Sequence, residues 1–513
     1  MLNDSAMKYK SQGIQLSIDS FKSSLEGLNK ANRWVKLGDT LPWSEIERLY
    51  AVQLNNGKRG AGNKPARMII GALIIKHKMN LSDEETILAI QENPYMQYFV
   101  GLSEFTDQPI FDSSLFVTIR KRLGTTDFND MSVSLLELQL QLEKSRSAGK
   151  KSDSEDEGGG QVDVDDQDPT FVDNQGRVHA GSLKMDATCS DAEVRYPTDI
   201  DLLHDGCKVI NRYIDKLCKG FSLVHPVTYY KEAHAAFHQV VKHRKKSKKM
   251  IHRAKSLLLT YLIRDIRSFT QLIAANGTQL FYSLKRYEQR TVKAIITMFH
   301  QQDDMFKSGL KSCADRIISI FQPHIRPIVR GKSKSPTEFG AKIGACVVKG
   351  YTFVDHHSWD AYNEASDLEK HIELYRRRFG FLPARIYADK IYMNRNNRSL
   401  MKDLEIQAMG KPLGRPPKEQ QTKEYQNKMA KAVGKRNEIE GTFGTAKRIY
   451  RANNIRAKLP DTGNSWTALC YFVKNVMKFL RELLRALFFV MNILANPYRI
   501  MQKVILLPRF ANY

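Results

Sequence analysis

No two of the six cysteines, Cys189, Cys207, Cys218, Cys313, Cys346 and Cys470, form a C-x-x-C pair. That absence argues against a zinc knuckle and a dithiol redox motif. Scattered single thiols fit a reducing compartment. The polar stretch Met1 to Lys30 has no signal-peptide core, so no secretory leader is expected. Long apolar runs are missing as well. Leu483 to Leu494, the most apolar late stretch, is interrupted by Arg485 and Asn492 and is too short to span a bilayer. The expectation is a soluble cytoplasmic protein with no membrane partner.

Acidic residues are in deficit. The chain has 55 Asp+Glu against 80 Lys+Arg, a formal charge of +25. A surface that basic favours a polyanion, because each neutralised phosphate releases counterions. With 513 residues and 42% hydrophobic composition, two or three domains with real cores are expected.

Residues 1–145 read as helical. Ser82 and Glu85 have capping-box spacing, and the helix they start is expected to bury Ile87, Leu88 and Ile90. Ser113 to Leu123 reads as a short helix ending in Arg120-Lys121-Arg122 and stopped by Gly124. Short helices with basic tips suit a helix-turn-helix-like DNA reader, with a dimerisation bundle as the alternative. Residues 146–175 form an acidic, Gly-rich linker. A helical, basic segment follows at about 200–335. Its densest charge is Lys242, Arg244, Lys245 and Lys246, continuing to Arg253. So many like charges repel unless a polyanion is near. Phe339 to Val348 and Tyr351 to His356 read as a hairpin joined at Lys349-Gly350. A helix over Ser366 to Phe379, closed by Gly380, leads to a strand at Ala384 to Asp389. Hairpin, helix and strand are the pattern of a mixed α/β sheet. Residues 461–513 read as C-terminal helices.

Two predicted strands each end on an aspartate, Asp186 and Asp389. Strand ends line the usual crevice of such sheets, and a carboxylate there needs solvent or a cation. A third carboxylate comes from Arg436-x-x-x-Glu440-x-x-x-x-x-x-Lys447. At helical spacing Arg436, Glu440, Phe443 and Lys447 share a face. That arrangement fits a metal ligand beside a phosphate clamp, or equally an exposed helix with ion pairs. Gly441 and Gly444 weaken the helix by about 1 kcal/mol each but leave room for a DNA backbone. Gly414-Arg415-Pro416-Pro417-Lys418 has the form of an AT-hook core, in which Arg415 reads a minor groove; a rigid loop is the alternative. His356-His357 reads as a satisfied pair rather than a metal site.

The segment Arg436-x-x-x-Glu440-x-x-x-x-x-x-Lys447 resembles the signature around the catalytic glutamate of DDE transposases of bacterial insertion sequences, specifically the insertion-sequence-five and eleven-eighty-two-like group. Further stretches are similar to that group. They include Asn93 to Leu102, Phe111 to Gly124, Asp186-Ala187-Thr188 with Tyr196 to Asp199, Arg326 to Lys332, Glu338 to Lys342, Ala388 to Tyr392 and Leu413 to Lys418. Two departures stand out. Val433 occupies a position where the wider signature has Tyr, and Ile391 replaces a Gly before Tyr392.

The resemblance implies an RNase H-like catalytic domain over 176–460 with a large helical insertion, preceded by an all-α DNA-binding domain. It implies that Asp186, Asp389 and Glu440 hold two Mg²⁺ ions, for which Mn²⁺ can substitute. It implies Arg436 and Lys447 as phosphate clamps, with Arg120, Arg122, Arg415 and the cluster at Lys242 to Lys246 on DNA. The implied partner is double-stranded DNA, both element ends and target, bound by a homodimer. The implied location is the bacterial cytoplasm, on the nucleoid when bound. The implied reaction is strand cleavage and strand transfer at terminal inverted repeats. A non-catalytic DNA-binding derivative and a nuclease that does not join remain the alternatives.

Overall fold

Helices open the described chain: α1 (Arg33–Thr40), α2 (Trp43–Val52), α3 (Ala66–Met79), α4 (Asp83–Glu92), α5 (Pro94–Phe99), α6 (Leu115–Arg122) and α7 (Thr125–Lys150). The structure, a computed structural model, describes residues 25, 27–54, 63–150, 169–329, 337–410 and 422–495. The acidic run at 151–168 and Arg415 with its Gly-Arg-Pro-Pro segment lie outside the described residues. The expected capping box is present: Ser82 Oγ accepts from the Glu85 N–H at 3.0 Å, and the Glu85 carboxylate accepts from the Ser82 N–H at 2.7 Å. The helix it starts buries Ile87 and Ile90, but Leu88 is 55% exposed, contrary to expectation. Leu88 stands one position from Ile87, about 100° around the axis, and so leaves the buried stripe.

The next elements are β1 (Thr170–Val172), β2 (Val178–Ala180), β3 (Ser182–Asp191), then α8 (Asp199–Phe221), α9 (Tyr230–Val241), α10 (Lys248–Asn276), α11 (Gln279–Tyr282) and α12 (Arg286–Ser308). After them come β4 (Arg326–Val329), β5 (Thr337–Val348), β6 (Tyr351–Ser358), α13 (Leu368–Phe379), β7 (Arg385–Tyr387), α14 (Arg395–Asp403), β8 (Gln407–Ala408), α15 (Lys423–Ile449) and α16 (Pro460–Ala495). The chain divides into two compact units. One comprises Met1–Ile119, Ser134–Ser147 and Val476–Tyr513; the other comprises Arg120–Val133 and Ala148–Asn475. No helix among the described residues is long and apolar enough to cross a membrane.

The second unit holds a mixed sheet in the order β4-β5-β3-β7-β8, with β6 paired to β5. β3 runs antiparallel to β5 and parallel to β7. β5 and β6 form the expected hairpin, and Lys349 and Gly350 turn it with φ of 49° and 79°. Two positive φ values suit the twist of a tight hairpin. Gly380 closes α13 at φ 80°, as its position after the helix predicts.

The open edge of β6 is closed by side chains. Asn129 of α7 donates to the Val354 carbonyl at 2.7 Å and accepts from the Val354 N–H at 3.1 Å. Asn475 of α16 treats Thr352 the same way, at 2.7 and 2.9 Å. Each amide imitates a neighbouring strand, so the backbone groups of Thr352 and Val354 on this edge are satisfied.

Between β3 and β4, helices α8 to α12 enclose a core of their own. Leu203, Ile210, Ile214, Leu258, Leu262, Ile295 and Met298 lie in it, fully buried or nearly so. Asp199, at the start of α8, ties this bundle together through Lys255 at 2.9 Å, Gln302 at 3.2 Å and Arg316 at 2.6 Å. Its place in the Tyr196 to Asp199 motif therefore has a structural explanation.

Candidate active site

Asp186 lies within β3, not at its end as the sequence suggested, because the strand continues to Asp191. Alternation sets its direction. Leu183, Met185 and Ala187 are buried, while Lys184 and Asp186 face the other way and are half-buried. Lys184 pairs with Glu438 and ties α15 to that face. β7 lies beside β3 with Lys184 level with Tyr387. Asp186 and Asp389 each lie two residues beyond that pair, near enough for the Asp389 charge to act on Asp186. Asp389 follows the end of β7, and its Oδ1 accepts from the Lys390 N–H at 2.7 Å, starting a short 3-10 turn over Lys390–Tyr392.

α15 brings the third carboxylate. Ile439, Phe443 and Ala446 form its buried stripe, so Phe443 turns to the core side of the face it was expected to share with Glu440. Glu440 remains exposed at the edge of that stripe. Arg436, one turn earlier, donates from Nη2 to Glu440 Oε1 at 2.7 Å, and its Nη1 stands 3.4 Å from Asp389 Oδ1. One guanidinium thus bridges the second and third carboxylates. Its field also reaches Asp186.

Asp186 is the perturbed member. Burial pushes its carboxyl up to about 6, reinforced by the negative charges of Glu364 and Asp389 and opposed by the Ala187 N–H and by Arg436. Its Oδ1 accepts from that N–H at 2.8 Å. Glu364, which the sequence reading missed, sits 3.2 Å from Lys342. No local sequence signal singles it out; only the fold brings it near Asp186. Carboxylates that crowd one another around a partly desolvated aspartate, with oxygen donors alone, fit a hard divalent cation.

The oxygens of Asp186, Asp389 and Glu440 do not all lie within 4.8 Å of one another, whereas the ligand atoms of two other clusters do. Among the described residues, the sets whose ligand atoms lie within 4.8 Å of one another are Cys346–Asp355–His371 and Cys189–Asp191–Glu338. In the first, Arg378 already supplies the cation, 2.5 Å from Asp355. His356 bonds Asp367 at 2.8 Å, whereas both nitrogens of His357 are buried without partners, and burial lowers its pKa to about 3. The pair belongs to neither set, and only one of its members is satisfied. Tyr392 is fully buried and its phenol is held protonated by burial, so it is no nucleophile.

A cavity of about 280 Å³ opens beside Asp389 and Arg436, walled in part by Met409, Met429, Ala432 and Val433. Gly410 also borders it. A Cβ there would approach Met393 Cε to 2.6 Å and the Ala388 carbonyl to 2.9 Å. Only glycine lets this segment run against the backbone that precedes Asp389.

The cations fall into two groups. Lys242, Arg244, Lys245 and Lys246 are all exposed, in the turn between α9 and α10, and Lys248 and Lys249 begin α10. Lysines at a helix N-terminus oppose its dipole, so local stability does not account for them. Arg122 is exposed, whereas Arg120 is buried with its guanidinium 6.0 Å from the Trp466 ring centre. Arg120 is therefore a packing residue here rather than a basic tip. Lys447 is half-buried on α15, two turns beyond Glu440.

Comparison with known proteins adds three findings. Residues 386–477, which include Asp389 and Glu440, match the family model described as a transposase DDE domain. Residues 23–122 match a transposase domain (DUF772). The chain is also similar to a curated protein of Rhizobium meliloti, an uncharacterized protein encoded as ORF8 in the nfe locus. The two are 29% identical over 120 residues, or 23% of this chain and 57% of that protein. The match thus spans little more than half of that relative's length. No solved structure matches.

Proposed function

We propose, for a chain whose two matched domains make it a DDE transposase of an insertion sequence, that it binds the element's terminal inverted repeats and carries out metal-dependent strand cleavage and strand transfer into target DNA. The observation that carries this reading is Arg436, bonded to Glu440 and Asp389 at once beside Asp186. Through Arg436, that geometry links Glu440 of α15 to Asp389 beyond β7, and the same guanidinium acts on Asp186 of β3, which supports a shared role for the three carboxylates.

The sheet supports an RNase H-like reading of residues 176–460. Its strands run β6-β5-β3-β7-β8, with the first aspartate on the central strand and the second just past its parallel neighbour. The helices at about 200–335 enter as an insertion. Residues 1–145 serve in DNA binding, 146–175 join the two domains, and 461–513 complete the chain after the catalytic domain. The protein acts as a homodimer on double-stranded DNA, in the cytoplasm and on the nucleoid when bound.

Asp186, Asp389 and Glu440 would hold two Mg²⁺ ions, with Mn²⁺ a workable substitute. Held there, the ions would supply Lewis-acid activation of a water or a 3′-hydroxyl and charge stabilisation at the leaving oxygen. Arg436 neutralises Asp389 and Glu440 beforehand and can turn to a phosphate oxygen once they are engaged. Lys447 extends the clamp along α15. Arg122 and the Lys242 to Lys246 turn bind phosphates without reading sequence.

The test is cleavage of DNA carrying the element's own ends, with Mg²⁺ or Mn²⁺. Wild type is expected to cut, and to join a pre-cut 3′-hydroxyl end to target, while Glu440→Gln binds equally well and does neither. Equal cutting by the two proteins would end the enzymatic reading. Cutting without joining would reduce it to a nuclease.

A further inference from the structure

Asp389 stands outside the ladder of the sheet. The pairing of β7 with β3 ends at Tyr387, and its pairing with β8 ends at Ile386. Beyond that point the chain folds on itself. The Tyr392 N–H donates to the Asp389 carbonyl at 3.0 Å, and the Met393 N–H donates to the Lys390 carbonyl at 3.0 Å. Bonds within a turn give it a shape but not a place in the fold. A carboxylate at a reacting centre needs a place, since a shift of about 1 Å there can cost about a hundredfold in rate.

Two turns meet beside it. One is Lys390–Tyr392, directly after Asp389; the other is the 3-10 turn Glu364–Asp367, which precedes α13. The second is anchored to the sheet. Lys342 of β5 stands 3.2 Å from Glu364 and donates to the Tyr362 carbonyl at 2.8 Å, and His356 of β6 bonds Asp367 at 2.8 Å. Asn397, in the first turn of α14, joins the two turns. Its Nδ2 donates to the Ala365 carbonyl at 2.7 Å and to the Tyr392 carbonyl at 3.0 Å. Its own N–H donates to the capping Asn394 Oδ1 at 2.9 Å, which fixes its backbone. Few side chains could replace it. One nitrogen serves two carbonyls, which takes two N–H groups on a short stem. An aspartate would set its oxygens against both carbonyls, and a serine has one hydrogen for two acceptors. Ala365 is buried and Asn397 is half-buried, so water substitutes poorly for these bonds.

We propose that Asn397 is a positioning residue for the metal-binding carboxylates: through the Ala365 and Tyr392 carbonyls it holds the turn that Asp389 begins against the turn that carries Glu364. The path runs from β5 and β6 to the Glu364–Asp367 turn, through one amide, to Asp389. It sets how far Asp389 stands from Asp186 on β3, where the charges of Asp389 and Glu364 are both felt. Asn397 itself meets no reacting atom. This rests on the metal-ligand reading of Asp389 above.

The test uses the full-length protein. Asn397→Leu keeps a branched side chain and removes both donors. Its Mn²⁺ affinity, by calorimetry without DNA, should fall about tenfold, and the Mn²⁺ concentration for half-maximal cleavage should rise by about the same factor. Cleavage at saturating DNA should slow by about a hundredfold, while DNA affinity in EDTA stays at the wild-type value. Asn397→Ser, which keeps one donor, gives the same readout at smaller size should Asn397→Leu fold poorly. Asn129→Leu controls for lost stability: it orphans Val354 on the β6 edge, bonds neither turn, and should leave Mn²⁺ affinity unchanged. Wild-type Mn²⁺ affinity and cleavage in the Asn397 variants overturn the inference alone. So does an equal loss of Mn²⁺ affinity in Asn129→Leu, which would show instability rather than misplacement. Failure of the wild type to bind Mn²⁺ would remove the metal-ligand reading, and the positioning role with it.

Discussion

Arg436 donates to the Glu440 carboxylate at 2.7 Å across one helical turn, and Glu440 is half exposed while Arg436 is not. The guanidinium is the fixed partner, and it competes for the oxygens that a divalent ion would use. Arg436→Gln should therefore bind Mn²⁺ about fivefold more tightly by calorimetry, since an exposed ion pair is worth about 1 kcal/mol. Its cleavage rate should nonetheless fall by about a hundredfold, through loss of a phosphate contact. Unchanged or weaker Mn²⁺ binding would refute the competition.

The Lys242 to Lys246 turn predicts a salt effect. Replacing Lys242, Arg244, Lys245 and Lys246 by Gln should reduce the slope of log affinity against log salt by about 3.6, at about 0.9 per phosphate contact. Affinity should fall by a similar factor on every duplex sequence. A slope equal to wild type would show that the turn faces away from DNA.

Acid should weaken the fold through His204. Burial first, then the neighbouring His234, Lys208 and His238, lower its pKa to about 4 against an ordinary value of 6.5. His204 Nε2 lies 3.1 Å from His234 Nδ1, so one ring must donate and the other accept. A lowered histidine binds fewer protons folded than unfolded. Its stabilisation is complete above pH 6.5 and is lost as pH falls toward 4. Between pH 7 and 4.5, urea unfolding of wild type should show a loss of about 2 kcal/mol that His204→Gln lacks. Parallel pH profiles for the two proteins would contradict this.

The β6 edge should be sensitive to one amide. Asn475 bonds both backbone groups of Thr352 and also donates to Ser132 at 3.1 Å, all in buried surroundings. Asn475→Leu keeps the branched shape and orphans those groups, so a loss of about 2–4 kcal/mol is expected. The check is the midpoint of thermal or urea unfolding. A change under 0.5 kcal/mol would mean that the edge finds other partners.

Much of the local architecture was legible before any coordinates. The Ser82–Glu85 box, the Lys349-Gly350 turn and the Gly380 stop each depend on side chains within a few residues of one another, and each is present. The spacing of Arg436 and Glu440 likewise fixed their ion pair, because residues four apart on a helix are neighbours. Misreadings arose where local signals end. A run of apolar residues does not tell which one leaves the buried stripe, as Leu88 does. A strand's length depends on its partners, so Asp186 could not be located within β3 until β5 was seen to pair with it as far as Asp191.

The sequence by itself determined the basic charge, the carboxylates and the helical spacing that joins Arg436 to Glu440. These follow from composition and from short-range geometry. Tertiary structure alone decided that Arg436 also meets Asp389, that Glu364 presses on Asp186 and that Arg120 packs near Trp466. Each of these joins residues distant in the chain. Only the packing of sheet and helices fixes them, since no periodicity spans such distances.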